Sequence, residues 1–123
     1  MKPTDITGYI HDAGQPTTHF NVMRERGFVR KRVMIDEAAP IFYVGEAEEY
    51  SPMLFTEASN DLQNRKEQTD LMFSTLKHFG YDFDKIERYT FEDTTHTSYI
   101  PEVDENGVSR FGPVAYEFMK KYL

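Results

Sequence analysis

The segment Pro52-Met53-Leu54-Phe55-Thr56-Glu57-Ala58 restricts the architectures open to this chain more than any other. It is shorter than an ordinary helix, and its leading proline costs no ladder hydrogen bond at the first residue of a strand. Its start is apolar almost without a break, which implies burial on both faces, the condition of a strand inside a parallel sheet. Parallel neighbours cannot be joined by tight hairpins. Such a strand therefore requires helical crossovers before and after it.

The remaining sequence supplies them. Ile6 to His11 reads as a short strand, and His19 to Arg26 as a short helix halted at Gly27. Val33-Met34-Ile35 is short and apolar, Ile41 to Val44 has no decisive pattern, and Glu46, Glu48 and Glu49 form a polar linker. Asn64 to Phe79 is the clearest helix, with Met72, Leu76 and Phe79 on one stripe and Leu71 widening it. Asn64 is placed to cap its first turn with Glu67 in capping-box position, and Gly80 to stop it. Ile86 to Phe91 reads as a third strand, and its interleaved Glu87, Arg88 and Thr90 suit a sheet edge. Asp104-Glu105-Asn106-Gly107 is a turn. Gly112-Pro113 opens a last helix with Val114, Ala115, Phe118, Met119 and Tyr122 on one face. Strand and helix alternating three times predict an α/β fold of one domain, residues 1–123, with about three parallel strands, right-handed crossovers and flanking helices.

Composition narrows the function. A net charge of −7 disfavours partners such as nucleic acid or anionic membrane. The one basic cluster, Arg24, Arg26, Arg30, Lys31 and Arg32, reads as a solvated helix-and-turn face. With no cysteine, disulfides, thiol catalysis and cysteine metal sites are excluded. No apolar run approaches the roughly 20 residues of a membrane span, and Met1 to Asp5 lacks the apolar core of a leader. A cytoplasmic protein is the expectation.

The candidate chemistry lies in two loops. Sites in open α/β sheets form at the carboxyl ends of strands, and Asp61 and His96 both follow an expected strand. A carboxylate that holds one imidazole nitrogen leaves the other free to take a proton from a nucleophile. Adjacent parallel strands can bring two such loops within hydrogen-bond reach. Taken alone, an Asp after a strand is often a helix cap and a loop His is usually solvated. His11 and His19 flank the first loop, where they are either rim or surface residues, and His78 suits the negative end of its helix. A metal site of His11, His19, His96 and Asp61 has no ligand spacing to support it. Tyr99 and Phe20 suit a pocket lining or core packing equally. No cofactor is implied.

Pro52-Met53-Leu54-Phe55, Asn60-Asp61, Gln68, Leu76, Gly80 and Thr95-His96 together resemble the C-terminal part of esterase- and lipase-like α/β-hydrolases. Asp36-Glu37-Ala38-Ala39-Pro40-Ile41 is similar to that family's Asp-x-x-Ser-Pro-x segment, with Ala39 where Ser is common. Gly14 to Phe20 looks like the loop after the preceding strand. The resemblance spans nearly the whole chain but only the family's last third to half. It implies that Asp61 and His96 are the triad acid and base of a carboxylic-ester hydrolase, with a small-molecule ester as substrate.

The nucleophile departs from the pattern. The family's serine sits in a G-x-S-x-G elbow upstream of the acid. Ser51, Ser59, Ser74 and Ser98 have no glycine two residues away on either side. Ser109 has only Gly107, and it follows His96. The glycine-rich oxyanion loop is absent as well. The expectation is therefore a C-terminal fragment that supplies Asp61 and His96 and is inactive alone. It would self-associate, as a homodimer, through the surface left by the missing half. The alternative is a stand-alone, non-catalytic α/β binding module, in which Asp61 and His96 are dispensable and far apart. A flavodoxin-like nucleotide binder would need a glycine-rich phosphate loop that the sequence lacks.

Overall fold

The computed structural model describes residues 1–122. Three strands, β1 (Tyr9–Asp12), β2 (Met53–Asn60) and β3 (Ile86–Thr95), form one parallel sheet in the order β1-β2-β3. Helices α1 (Phe20–Glu25) and α2 (Arg65–His78) occur between the strands, and α3 (Phe111–Tyr122) follows the last of them. The expected α/β class and parallel order are both present. As expected, β2 is central: Met53 through Ala58 are buried without interruption. β3 lies at an edge and is correspondingly more open. β1 is shorter than expected and shifted by one residue at its end: Ile6, Thr7 and Gly8 fall outside the sheet, and Asp12 is included.

The chain divides into two compact units. One comprises residues 1–14, 49–63 and 82–122, with the sheet and α3. On one sheet face Ala58, Phe91 and Tyr99 form a buried cluster, joined by Phe111 and Val114. The Phe91 and Tyr99 rings stack at 4.1 Å and 13°, a contact contributing about 0.5–1.5 kcal/mol beyond its buried area. Ala115 and Phe118 are the buried positions of α3, while Met119 remains more than a third exposed. The opposite face of β2 carries Phe55, whose ring stacks on His11 of β1 at 4.5 Å, and Glu57. Glu57 is buried, and it is satisfied by two bonds from Arg88 (2.8 and 2.9 Å) and one from Thr90 (2.9 Å). Sequence alternation does not reveal this ion pair, because a Glu in a buried run reads as an interruption. The bidentate partner on the next strand is what permits it.

The second unit comprises residues 15–48 and 64–81. Here α2 buries Arg65, Gln68, Thr69, Met72 and Leu76, a stripe of helical spacing that is polar over its first two turns. Gln68 accepts a 2.7 Å bond from Thr17. Leu71 and Phe79, expected on the buried stripe, are 42% and 52% exposed. Phe79 lies over Gly45, whose φ of +103 and proximity to that ring (2.5 Å from where a Cβ would stand) leave room for glycine only. The expected Asn64 cap is also absent. Asn64 adopts a left-handed backbone (φ +65) and makes no side-chain capping bond, whereas a capping residue needs extended backbone. Gly27 and Gly80 do end their helices with positive φ. Residues 33–35 form no regular element, and Pro40–Tyr43 is a single 3-10 turn. The loop between them is anchored on Asp36. Its carboxylate accepts from Thr18 (2.7 Å), from the Ala38 N–H (3.0 Å) and from Arg26. Those bonds, Thr18 first, hold the Asp36 carboxyl below its ordinary range.

The β2–β3 ladder positions the strand ends. Partners are offset by 33 residues (91 − 58) as far as Ala58↔Phe91, then by 35 (95 − 60) at Asn60↔Thr95. Glu92, Asp93 and Thr94 thus stand against Ser59 alone, as a bulge in β3. Asp93 turns it with φ +55. Two carbonyls where the bulge begins are bound by side chains: Thr94 donates to Phe91 O (2.6 Å) and Arg110 to Glu92 O (2.6 Å).

Two stability outcomes follow from this architecture. Asp93→Val places a β-branched residue in the left-handed region and is expected to lower unfolding free energy by about 1–2 kcal/mol. Asp93→Gly is expected to be neutral or mildly stabilising in the same urea titration, and equal tolerance of both would contradict the account. Burial holds the His11 imidazole below its usual value of 6.5. The unfolded chain therefore takes up a proton that the folded chain resists. Stability is full above about pH 6.5 and declines as pH falls through it. His11→Phe is expected to flatten the fall in urea midpoint between about pH 7.5 and 5, whereas an unchanged slope would refute it.

Candidate functional site

Asp61 is the first residue past β2 and His96 the first past β3. Each follows one member of the Asn60↔Thr95 pair, so the shifted register makes them neighbours across strands about 4.8 Å apart. Without the bulge, the residue opposite Asp61 would be Thr94. With it, His96 Nδ1 lies 2.8 Å from Asp61 Oδ1.

The two groups differ in environment. The Asp61 side chain is 4% exposed and the His96 side chain 35%. Asp61 Oδ1 also accepts the Leu62 N–H at 2.6 Å, which fixes the carboxylate orientation. Its Oδ2 is buried with no hydrogen-bond partner. Against a carboxylate, Nδ1 must donate, which leaves Nε2 of the neutral ring unprotonated. Nε2 makes no hydrogen bond among the described residues. The arrangement can therefore orient an imidazole, present an acceptor nitrogen, and stabilise the imidazolium formed when that nitrogen takes a proton.

A second polar group stands at the same ends of the sheet. Asp12, the last residue of β1, accepts two bonds at Oδ1, from Tyr99 OH (2.5 Å) and from Thr56 Oγ1 (2.7 Å). Tyr99 is fully buried. Burial, and then its bond to Asp12, push its phenol well above the ordinary value, so it remains a donor. Sequence reasoning missed Asp12, although the signal existed: it ends a strand as Asn60-Asp61 does. Tyr99 is a core residue whose hydroxyl is committed to Asp12.

The other histidines do not join the pair. His11 lies within β1, between Tyr9 and Phe55 rings, with Nε2 buried and unpartnered. His19 caps α1, where Nδ1 accepts the Asn21 N–H at 3.2 Å. His78 occupies the last turn of α2 against Phe79. Among the described residues no group of three or more His, Asp or Glu could hold a metal ion. Phe20 lies in α1 under the Arg30 guanidinium, 4.4 Å from its ring centre. Ser109 is engaged as a helix cap, accepting the Gly112 N–H at 3.0 Å. No helix among the described residues is long and apolar enough to cross a membrane.

No protein-family model matches the sequence, and no curated protein matches it. Solved structures do. The uncomplexed acylaminoacyl peptidase of Pyrococcus horikoshii superposes with a TM-score of 0.61 at 17% identity, over 95% of this chain and 20% of the peptidase. Its orthorhombic crystal form gives 0.61 at 17%, over 96% and 20%. An acylaminoacyl peptidase in complex with Z-Gly-Gly-Phe-chloromethyl ketone gives 0.58 at 17%, over 95% and 19%. The chain spans about a fifth of the length of these proteins. At this identity the likeness concerns the fold: three parallel strands with their helices, matching part of an α/β-hydrolase.

Proposed function

We propose that this chain is the acid-and-base portion of a serine hydrolase acting on carboxylic esters, with Asp61 and His96 as two members of its triad. The observation that carries the reading is the 2.8 Å bond between a buried Asp61 and a part-exposed His96. A binding module in which the two are unrelated gives no reason for a register shift that aligns them. The α/β-hydrolase likeness supports the reading at the level of fold.

In this mechanism a serine outside these 123 residues lies against His96 Nε2. As its oxygen bonds to the ester carbonyl carbon, its proton passes to Nε2, and Asp61 stabilises the imidazolium. His96 then gives that proton to the departing alcohol oxygen as the carbon–oxygen bond breaks. Water, activated by the same nitrogen, releases the acid. Asp61 holds the tautomer throughout and remains a carboxylate. Without the serine, none of these steps begins.

The test uses a fluorophosphonate probe on this chain and on the longer product of any reading frame extended upstream of Met1. The isolated chain is expected to remain unlabelled and to hydrolyse p-nitrophenyl esters at background rate. A longer product containing an in-frame G-x-S-x-G is expected to label and turn over. His96→Ala should then reduce kcat by about 10⁴–10⁶. Labelling of the isolated chain abolished by His96→Ala would refute the view that its nucleophile lies elsewhere. A longer product indifferent to both Asp61→Ala and His96→Ala would refute the assignment of the pair. Parallel assays with peptide substrates separate ester from amide preference.

A further inference from the structure

His96 is carried by a turn whose internal bonds are local: Ser98 N–H to Thr95 O (3.0 Å), Ile100 N–H to Thr97 O (3.1 Å) and Thr95 N–H to Ser98 Oγ (3.0 Å). Local bonds fix the shape of a turn but not its position over the sheet. Two side chains of the turn bind the strands beside it. One is His96 itself, through Asp61. The other is Tyr99, three residues on, whose ring stacks on Phe91 and whose hydroxyl reaches Asp12 at the far edge strand. Asp12 is held in turn by Thr56 of β2, so one carboxylate oxygen ties the loop after β3 to the end of β1 and the middle of β2.

We propose that Tyr99 is a positioning residue for His96: its hydroxyl, anchored on Asp12, holds the turn where the imidazole can meet Asp61. The inference rests on the Asp61–His96 pair being a functional unit. Ring packing alone would be satisfied by phenylalanine, because Phe91 and Phe111 contact the ring and not the hydroxyl. The hydroxyl instead lies in the core and donates to a carboxylate at 2.5 Å. Burial raises the phenol above its ordinary value, so it remains a donor. A donor in a fixed position serves placement better than a titrating one.

The measurement is the ring Nδ1 proton of His96 by ¹⁵N-histidine NMR on the full chain, with amide-exchange protection of β2 read alongside. In the wild type, a slowly exchanging Nδ1–H resonance is expected. Tyr99→Phe should accelerate its exchange at least tenfold and mix the Nε2–H tautomer into the population, with β2 amide protection unchanged. Asp12→Ala should do the same, and Asp12→Asn, which keeps a carbonyl acceptor, should restore the wild-type signal. Should Tyr99→Phe fail to fold, the contrast between Asp12→Ala and Asp12→Asn decides alone. A resonance that persists unchanged in both Tyr99→Phe and Asp12→Ala overturns the positioning role while leaving the pair intact. A wild type with no protected Nδ1–H overturns both.

Discussion

The site depends on the register between β2 and β3. Parallel strands keep a constant offset unless residues are looped out, and a constant offset of 33 would place Asp61 opposite Thr94. The bulge at Glu92–Thr94 changes the offset to 35, the sequence separation of Asp61 and His96. The bulge in turn needs a residue that tolerates φ +55, supplied by Asp93, and donors to the carbonyls of Phe91 and Glu92 where it begins, supplied by Thr94 and Arg110. Arg110 is itself held by Glu102 at 2.8 Å. Local backbone chemistry some residues from His96 therefore determines what His96 can touch.

Charge at these strand ends is also concentrated. Asp12 ends β1, Asp61 directly follows β2, and the Tyr99 phenol senses both carboxylates. Asp61 retains a buried oxygen without a partner, an arrangement costing about 1–3 kcal/mol when a polar group is left unpaired. The bonds at its other oxygen, from Leu62 N–H and His96, offset part of that cost. A carboxylate held on one side only attracts a proton donor strongly, and the imidazole is the donor within reach. The geometry of the pair and the imperfect satisfaction of Asp61 have the same origin, burial at a strand terminus.

Much of this was legible in the sequence, for identifiable reasons. The apolar run from Pro52 announced the central strand, because burial on both faces leaves no polar face to disguise it. Asp61 and His96 were visible because strand ends are where loops can present side chains. The bulge was invisible: Glu92-Asp93-Thr94-Thr95 is a polar run, and composition does not distinguish a looped-out residue from an exposed strand residue. Asn64 failed as a cap because its backbone turns left-handed, which sequence pattern does not encode. Leu71 and Phe79 misled because apolar spacing on α2 competes with a polar buried stripe, Arg65, Gln68 and Thr69, that hydropathy disregards. The contacts of Glu57 with Arg88 and Thr90, like the triple junction at Asp12, link residues distant in sequence, and their pairing exists only once the register is set.

The distribution of backbone strain bears on the proposed role of the pair. Among the described residues, four that are not glycine adopt positive φ: Ala13, Asn64, Asp93 and Thr97. Each lies within three positions of Asp12, Asp61 or His96 in sequence: Ala13 just past β1, Asn64 just before α2, Asp93 near the end of β3 and Thr97 just past it. Positive φ at such residues costs about 1–2 kcal/mol apiece, less for Asn and Asp. Folding alone does not require the cost to fall there, since the turns at Gly27, Gly80 and Gly107 use glycine for the same conformation. Ala13, Asp93 and Thr97, close in sequence to Asp12 and His96, carry the strain expected of a preorganised site under the proposed reading of the pair.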